Sequence, residues 1–140
     1  MKVCLRPKQC CVSCFLSPLL AYNYYGDKMR IVEKPWGFEY IWAETDDYVA
    51  KMLHIEPNQR LSLQYHEKKE ETVYVIKGIL YNYEADGTIT KVYPGQALHI
   101  NVGQIHRFGA NETNVEIVEV STPYLNDVVR LEDDYDRKEK

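Results

Sequence analysis

The stretch "RLSLQYHEKKEETVYVIKG", residues 60–78, decides the fold prediction. Its first half alternates polar and apolar residues, which predicts a half-buried β-strand. Gln64 and His66 fall on the same face of this strand because side chains in a strand alternate with a period of two. A charged turn follows, and Glu71 begins a second, apolar run. Polar side chains at inward positions need a shared partner, so this pattern indicates a functional site.

The sequence from Met29 onward predicts short strands separated by turns. The segments "GFEYIWAE", "YVAKMLHI" and "VEIVEVS" are rich in aromatic and β-branched residues, and "ADG" and "PGQ" are turn signals. Such spacing predicts an all-β sandwich or barrel. No amphipathic helix of about three turns is expected, and the acidic tail from Asp127 holds one helical turn at most.

Length and charge limit the function classes. The chain has 140 residues and a formal net charge of −4, and its basic residues do not cluster on one segment. A single domain is therefore expected, with no nucleic-acid partner. No apolar run reaches the length of about 18 residues that a membrane-spanning helix needs, so we expect no membrane association.

Residues 1–28 differ in composition from the rest and hold all four cysteines, Cys4, Cys10, Cys11 and Cys14. We expect this extension to be disordered or to lie outside the core, with residues 29–140 forming the domain. One alternative is a targeting signal, since a basic start precedes a short apolar stretch. Another is a metal or redox role, although adjacent cysteines fit poorly into one tetrahedral site.

Four residues form a candidate metal site: Gln64, His66, Glu71 and His106. If the chain reverses at the charged turn, Glu71 returns beside His66, and His106 in "NVGQIHRF" supplies a second imidazole. One carboxylate and three neutral donors suit Zn²⁺ best, with Fe²⁺, Mn²⁺ and Ni²⁺ as alternatives. The other interpretation is a surface strand that carries these polar residues incidentally.

The two segments "RLSLQYHEKKEETVYVIKG" and "YPGQALHINVGQIHRF" resemble the paired motifs of the cupin superfamily. The resemblance implies a cupin double-stranded β-helix, which is a jelly-roll-like sandwich. Gln64 stands where the first histidine of a cupin motif usually stands, and this is similar to the phosphomannose isomerase branch. The flanks "VEKPWGFEYIW" and "VEVSTPYLNDVVRLEDDYDR" resemble the C-terminal domain of type II mannose-6-phosphate isomerases, often fused to mannose-1-phosphate guanylyltransferase.

The resemblance implies a cytoplasmic, metal-dependent isomerase that interconverts mannose 6-phosphate and fructose 6-phosphate in nucleotide-sugar and polysaccharide biosynthesis. The sequence departs from the family at Lys69, usually arginine, at Thr72-Val73, usually His-Trp, and at Asp136, where the family tends to read Tyr-Gly-Arg. The Gly-rich nucleotide loop is absent, so guanylyltransferase activity is not expected. The alternative function is a non-catalytic cupin that binds a sugar or nucleotide-sugar. Gln64 disfavours a cupin dioxygenase, which normally offers a His-rich site.

A phosphorylated sugar needs cationic partners, and its isomerisation needs a base. Arg60, on the predicted ligand face, and Lys68, in the turn, are the candidate substrate-binding residues. Lys69 and Glu70 are candidate catalytic residues because they lie next to Glu71 in the sequence. Arg107 is a third catalytic candidate from the resemblance alone, since strand parity points it away from His106.

The resemblance also implies a homodimer, because cupins of this size often pair through their early strands. The aromatic run "WGFEYIW" is the expected contact, since an uncovered apolar strand associates readily. Light scattering at micromolar concentration should therefore give twice the chain mass. A monomer mass under these conditions would contradict the expectation.

Overall fold

The computed structural model describes residues 29–137, so the expectations for residues 1–28 lie outside the described part of the chain. Within that part there are eleven strands and no helix, and hence nothing helical that could cross a membrane. The strands are β1 (Arg30–Lys34), β2 (Gly37–Glu44), β3 (Val49–Ile55), β4 (Leu63–Tyr65), β5 (Glu71–Lys77), β6 (Leu80–Glu84), β7 (Ile89–Val92), β8 (Ala97–Ile100), β9 (His106–Gly109), β10 (Val115–Ser121) and β11 (Val129–Glu132).

The strands form two antiparallel sheets that face each other. The six-stranded sheet has the order β1-β2-β3-β10-β5-β8, and the five-stranded sheet has the order β11-β4-β9-β6-β7. Val73 and Ile117 of the first sheet share one buried cluster with Leu80 and Phe108 of the second. This arrangement confirms the predicted all-β sandwich with the double-stranded β-helix of a cupin.

The inner face of the six-stranded sheet changes character along its strands. On β10 the inward residues Val115 and Ile117 belong to the apolar core, but Glu119 follows two positions later and is also buried. Lys51 lies directly opposite Glu119 on β3. One end of the sandwich is therefore an ordinary hydrophobic core, and the other end is charged.

The strict alternation predicted for residues 60–66 is wrong at its start. Gln64 pairs with His106, so regular pairing would set Arg60 opposite Ala110, but Arg60 bridges Gly109 instead. A shift of one residue moves side chains to the other face of a sheet. Consequently Leu61 is buried in the core, and the Arg60 side chain turns outward.

Two further expectations differ from the structure. The acidic tail forms β11, which pairs with β4, rather than a turn of helix. The aromatic run of β2 is not at the edge of its sheet, because β1 covers it. Trp36 lies in the core with 2% exposure, whereas Trp42 is 40% exposed. The homodimer stays a prediction.

Candidate metal centre

Three of the four predicted ligands meet at the charged end of the sandwich. His66 directly follows β4, Glu71 is the first residue of β5, and His106 is the first residue of β9. All three are buried, and one ligand atom from each lies within 4.8 Å of the others. Gln64, the fourth predicted ligand, is paired with His106 across the β4–β9 ladder. The two sheets thus bring His106 beside residues that lie much earlier in the sequence.

The carboxylate of Glu71 lies between the two imidazoles. Its Oε1 atom is 3.1 Å from Nε2 of His106, and its Oε2 atom is 3.6 Å from Nε2 of His66. Both Nε2 atoms are fully buried and have no hydrogen-bond partner among the described residues. A buried polar atom without a hydrogen bond needs an explanation, and a metal ion between these two atoms and Glu71 would provide one.

Backbone carbonyls orient both rings. Nδ1 of His66 donates to the carbonyl oxygen of Asp127, and Nδ1 of His106 donates to that of Gln104 at 3.0 Å. A carbonyl only accepts, so each Nδ1 carries a proton, and in the neutral ring Nε2 then presents a lone pair. Both histidines therefore have the tautomer that a metal ligand requires.

The charge state of the site also suits a divalent ion. Burial lowers the pKa of His66 to about 4, and the Lys69 ammonium adds to the shift. Burial alone would raise the pKa of Glu71, but the Lys69 ammonium holds it well below its usual range. Two imidazoles and one carboxylate fit Zn²⁺, Fe²⁺, Mn²⁺ or Ni²⁺. The side chain of Gln64, which accepts a hydrogen bond from Ser62 at 2.7 Å, offers a fourth oxygen on the same wall.

The turn between β4 and β5 is fixed by Asp127, which sequence reasoning missed. Its carboxylate accepts hydrogen bonds from the backbone N–H groups of Glu67, Lys68 and Lys69 at 3.2, 2.7 and 2.8 Å. Burial would raise the pKa of Asp127, but these three donors lower it. The sequence carries no local signal for this contact, because Asp127 lies about 60 positions beyond the turn.

A row of alternating charges crosses the inner face of the six-stranded sheet and ends at Glu71. Successive members lie within 3.7 Å of each other, and exposure of their side chains falls from 28% at the outer end to 2% at Glu71. The members of this charged row are Lys34, Glu39, Lys51, Glu119, Lys69 and Glu71. Sequence reasoning identified the last two only, although parity along β10 places Glu119 on the same face as the core residue Ile117.

The charged row forms one wall of a cavity of about 800 Å³. Gln64 also lines this cavity, apolar side chains such as Trp36 and Phe108 contribute to its lining, and Arg130 and Arg137 add basic groups. A concave site that combines a predicted ligand, Glu71, with apolar patches and several charged groups is typical of a small-molecule site.

The predicted catalytic and substrate-binding residues divide between the cavity and the surface. Lys69 lines the cavity beside Glu71. Arg60 pairs with Asp134 at 2.6 Å outside it, and Lys68 is exposed. Glu70 is exposed and borders a separate, smaller pocket.

Arg107 is buried, but it contacts the carbonyl oxygen of Glu132 at 3.1 Å and does not line the cavity. Arg60 and Arg107 thus contact Asp134 and Glu132, and Glu70 shares the smaller pocket with Glu71. The roles assigned to them and to Lys68 stay predictions.

Substitutions of the four predicted ligands should differ in how much bound metal the protein keeps. His66→Ala and His106→Ala each remove a nitrogen donor and should leave little bound Zn²⁺ after dialysis, as measured by elemental analysis. Glu71→Gln should weaken binding most among near-isosteric changes because it removes the formal negative charge, whereas Gln64→His should retain the metal. His99→Ala, at an exposed histidine of β8, is the matched control. Full metal content in both alanine variants would place the site elsewhere.

The buried His66 also predicts a pH dependence of stability. Its pKa is about 4 when folded and about 6.5 when unfolded, so the unfolded chain binds more protons between these values. The free energy of unfolding should therefore fall as pH drops from about 6.5 to 4, by roughly 3 kcal/mol in total. Urea titrations with a chelator present test this, and His66→Gln should flatten the dependence in that window. An equal slope in the variant would assign the effect to other groups.

Comparisons with known proteins identify the family of the domain that carries this site. The family model described as Mannose-6-phosphate isomerase C-terminal matches residues 25–133. A mannose-1-phosphate guanylyltransferase of Sinorhizobium fredii is 29% identical over 105 residues, covering 72% of this chain and 20% of that protein. The alginate biosynthesis protein AlgA of Pseudomonas aeruginosa is 31% identical over 110 residues, covering 76% of this chain and 23% of that protein. The chain thus spans less than a quarter of the length of these two relatives.

Similarity to solved structures supports the fold. A RmlC-like cupin from Shewanella frigidimarina has a TM-score of 0.61 at 15% identity, covering 71% of this chain and 87% of that one. At this identity the likeness establishes the fold alone. The family model covers most of the described residues. This chain therefore belongs to the mannose-6-phosphate isomerase C-terminal family, and its domain is a cupin.

Proposed function

We propose that this chain is a metal-dependent sugar-phosphate isomerase that interconverts mannose 6-phosphate and fructose 6-phosphate. The observation that carries the proposal is the pair of buried Nε2 atoms, on His66 and His106, that face Glu71 and make no hydrogen bond within residues 29–137. The sugar class comes from the description of the family and from relatives named for mannose-1-phosphate and alginate.

Aldose–ketose isomerisation moves a proton between C1 and C2 of the sugar through an enediol. A divalent ion held by Gln64, His66, Glu71 and His106 would supply a Lewis acid for the substrate oxygens. The protein itself contributes the cavity and the ammonium of Lys69 on its wall. Burial would lower the pKa of Lys69, but Glu119 and Glu71 hold it above its usual range. Lys69 therefore suits donation of a hydrogen bond to a negative oxygen and not the role of a base.

The second candidate is a cupin that binds a sugar or nucleotide-sugar without isomerising it. The exposure of Glu70 and the contact of Arg107 with Glu132 favour this alternative, since neither residue lines the cavity. The alternating donors and acceptors of the charged row would still bind sugar hydroxyls.

A coupled assay decides between the two. Purified chain with added Zn²⁺ should convert mannose 6-phosphate to fructose 6-phosphate, and a chelator should abolish the activity. His66→Ala should reduce kcat/KM by more than about 100-fold, beyond the range for residues that only orient a ligand. His99→Ala should leave the rate unchanged.

One outcome would reject the isomerase and favour the binding module. In that outcome, the Zn²⁺-loaded chain binds mannose 6-phosphate in calorimetry but forms no fructose 6-phosphate, with Fe²⁺, Mn²⁺ and Ni²⁺ giving the same result.

A further inference from the structure

The ammonium of Lys69 is shared between two buried carboxylates. Its Nζ atom contacts Oε2 of Glu71 and lies 3.2 Å from Oε1 of Glu119. The side chains of all three residues are at most 6% exposed. A buried cation in this position interacts strongly with both anions, because water screens little of their charge.

Glu119 is held from its other side as well. Its Oε2 atom lies 3.3 Å from Nζ of Lys51, and Lys51 lies 3.5 Å from Glu39. Burial and the nearby Glu71 raise the pKa of Glu119, while the two lysines lower it. Glu119 is thus fixed in the row by Lys51 whether or not Lys69 interacts with Glu71.

Lys69 and a bound metal ion would compete for the same carboxylate. Oε2 of Glu71 faces Nε2 of His66 at 3.6 Å and also contacts Lys69. An ion held by the two imidazoles would lie against Glu71, and its positive charge would repel the ammonium. If the ion takes Oε2 of Glu71 as its ligand, Lys69 must give up much of its contact with that oxygen.

We propose that Glu119 is a positioning residue for metal binding, which acts by accepting the Lys69 ammonium when Glu71 turns to the ion. Without Glu119, the displaced Lys69 would be a buried charge with no partner, and such a charge is strongly unfavourable. The proposal rests on the metal-binding part of the proposed function and does not depend on isomerase activity.

A second explanation for any effect of Glu119 is direct attraction between its negative charge and the ion. The two explanations differ in one respect. A direct effect operates whether or not Lys69 is present, whereas a positioning effect needs Lys69. A double-mutant cycle separates them because it measures whether one residue acts through the other.

The cycle uses Lys69→Met, Glu119→Gln and the double variant, with the Zn²⁺ dissociation constant measured by competition with a chromophoric chelator. Glu119→Gln alone should weaken Zn²⁺ binding about tenfold, the value expected for losing one charge-assisted hydrogen bond. Lys69→Met should strengthen binding because the competitor is gone. In the Lys69→Met background, Glu119→Gln should change the constant less than about twofold.

Two control variants test whether the effect comes from the contact between Glu119 and Lys69. Glu116→Gln removes the same charge from the outer face of the same strand and should leave Zn²⁺ affinity unchanged. Glu119→Asp keeps the charge but shortens the side chain, so it should weaken binding nearly as much as Glu119→Gln if contact with Lys69 matters. Far-UV circular dichroism confirms folding, and the aspartate variant carries the test if the glutamine variant does not fold.

The outcomes are distinct. Equal effects of Glu119→Gln in both backgrounds, or wild-type affinity in Glu119→Asp, would overturn the positioning role. A wild-type chain that binds no divalent ion would overturn both this inference and the proposed function. A chain that binds Zn²⁺ and shows the expected dependence of Glu119→Gln on Lys69, but does not isomerise the sugar, would uphold this inference and reject the isomerase.

Discussion

Glu71 is a carboxylate with 3% exposure, and the charged end of the sandwich follows from its need for partners. A buried anion is stable only when cations or hydrogen-bond donors surround it. Two histidines meet it from the five-stranded sheet side, and Lys69 meets it from its own turn. Each added cation then requires a further anion, so the compensation extends outward through Glu119 and Lys51. The hydrophobic core at the other end packs the two sheets together, and the charged row lies on the inner face of the six-stranded sheet.

Much of the fold could be predicted from the sequence because local patterns determine it. Alternation, turn dipeptides and aromatic strands predicted a sandwich, and the period of two placed Gln64 and His66 on one side. The same parity turned Arg107 away from His106. Ligand-type residues at inward positions were informative because few side chains can be tolerated there without a partner.

The features that the sequence did not predict depend on strand register and on contacts between distant parts of the chain. The side chain of Arg60 does not lie on the face that the alternation predicted, because the strand pairing shifts by one residue at Gly109. No local signal in the sequence marks that shift. Glu119 was visible as an inward residue of β10, but its neighbours on other strands follow only from strand order. β11 was missed because it lies in an acidic segment and its pairing with β4 is a contact between distant parts of the chain.

The contact between Asp127 and the turn after β4 bears on the order of folding. One residue supplies both the acceptor for His66 and the anchor for three backbone N–H groups, and it lies 61 positions beyond that histidine. Contacts across such long sequence separations form late, because closing a long loop costs entropy before the contact can stabilise it. The sheets can thus assemble before the imidazole of His66 is oriented. On a ribosome, the candidate metal centre would be completed only after Asp127, which follows β10, had emerged.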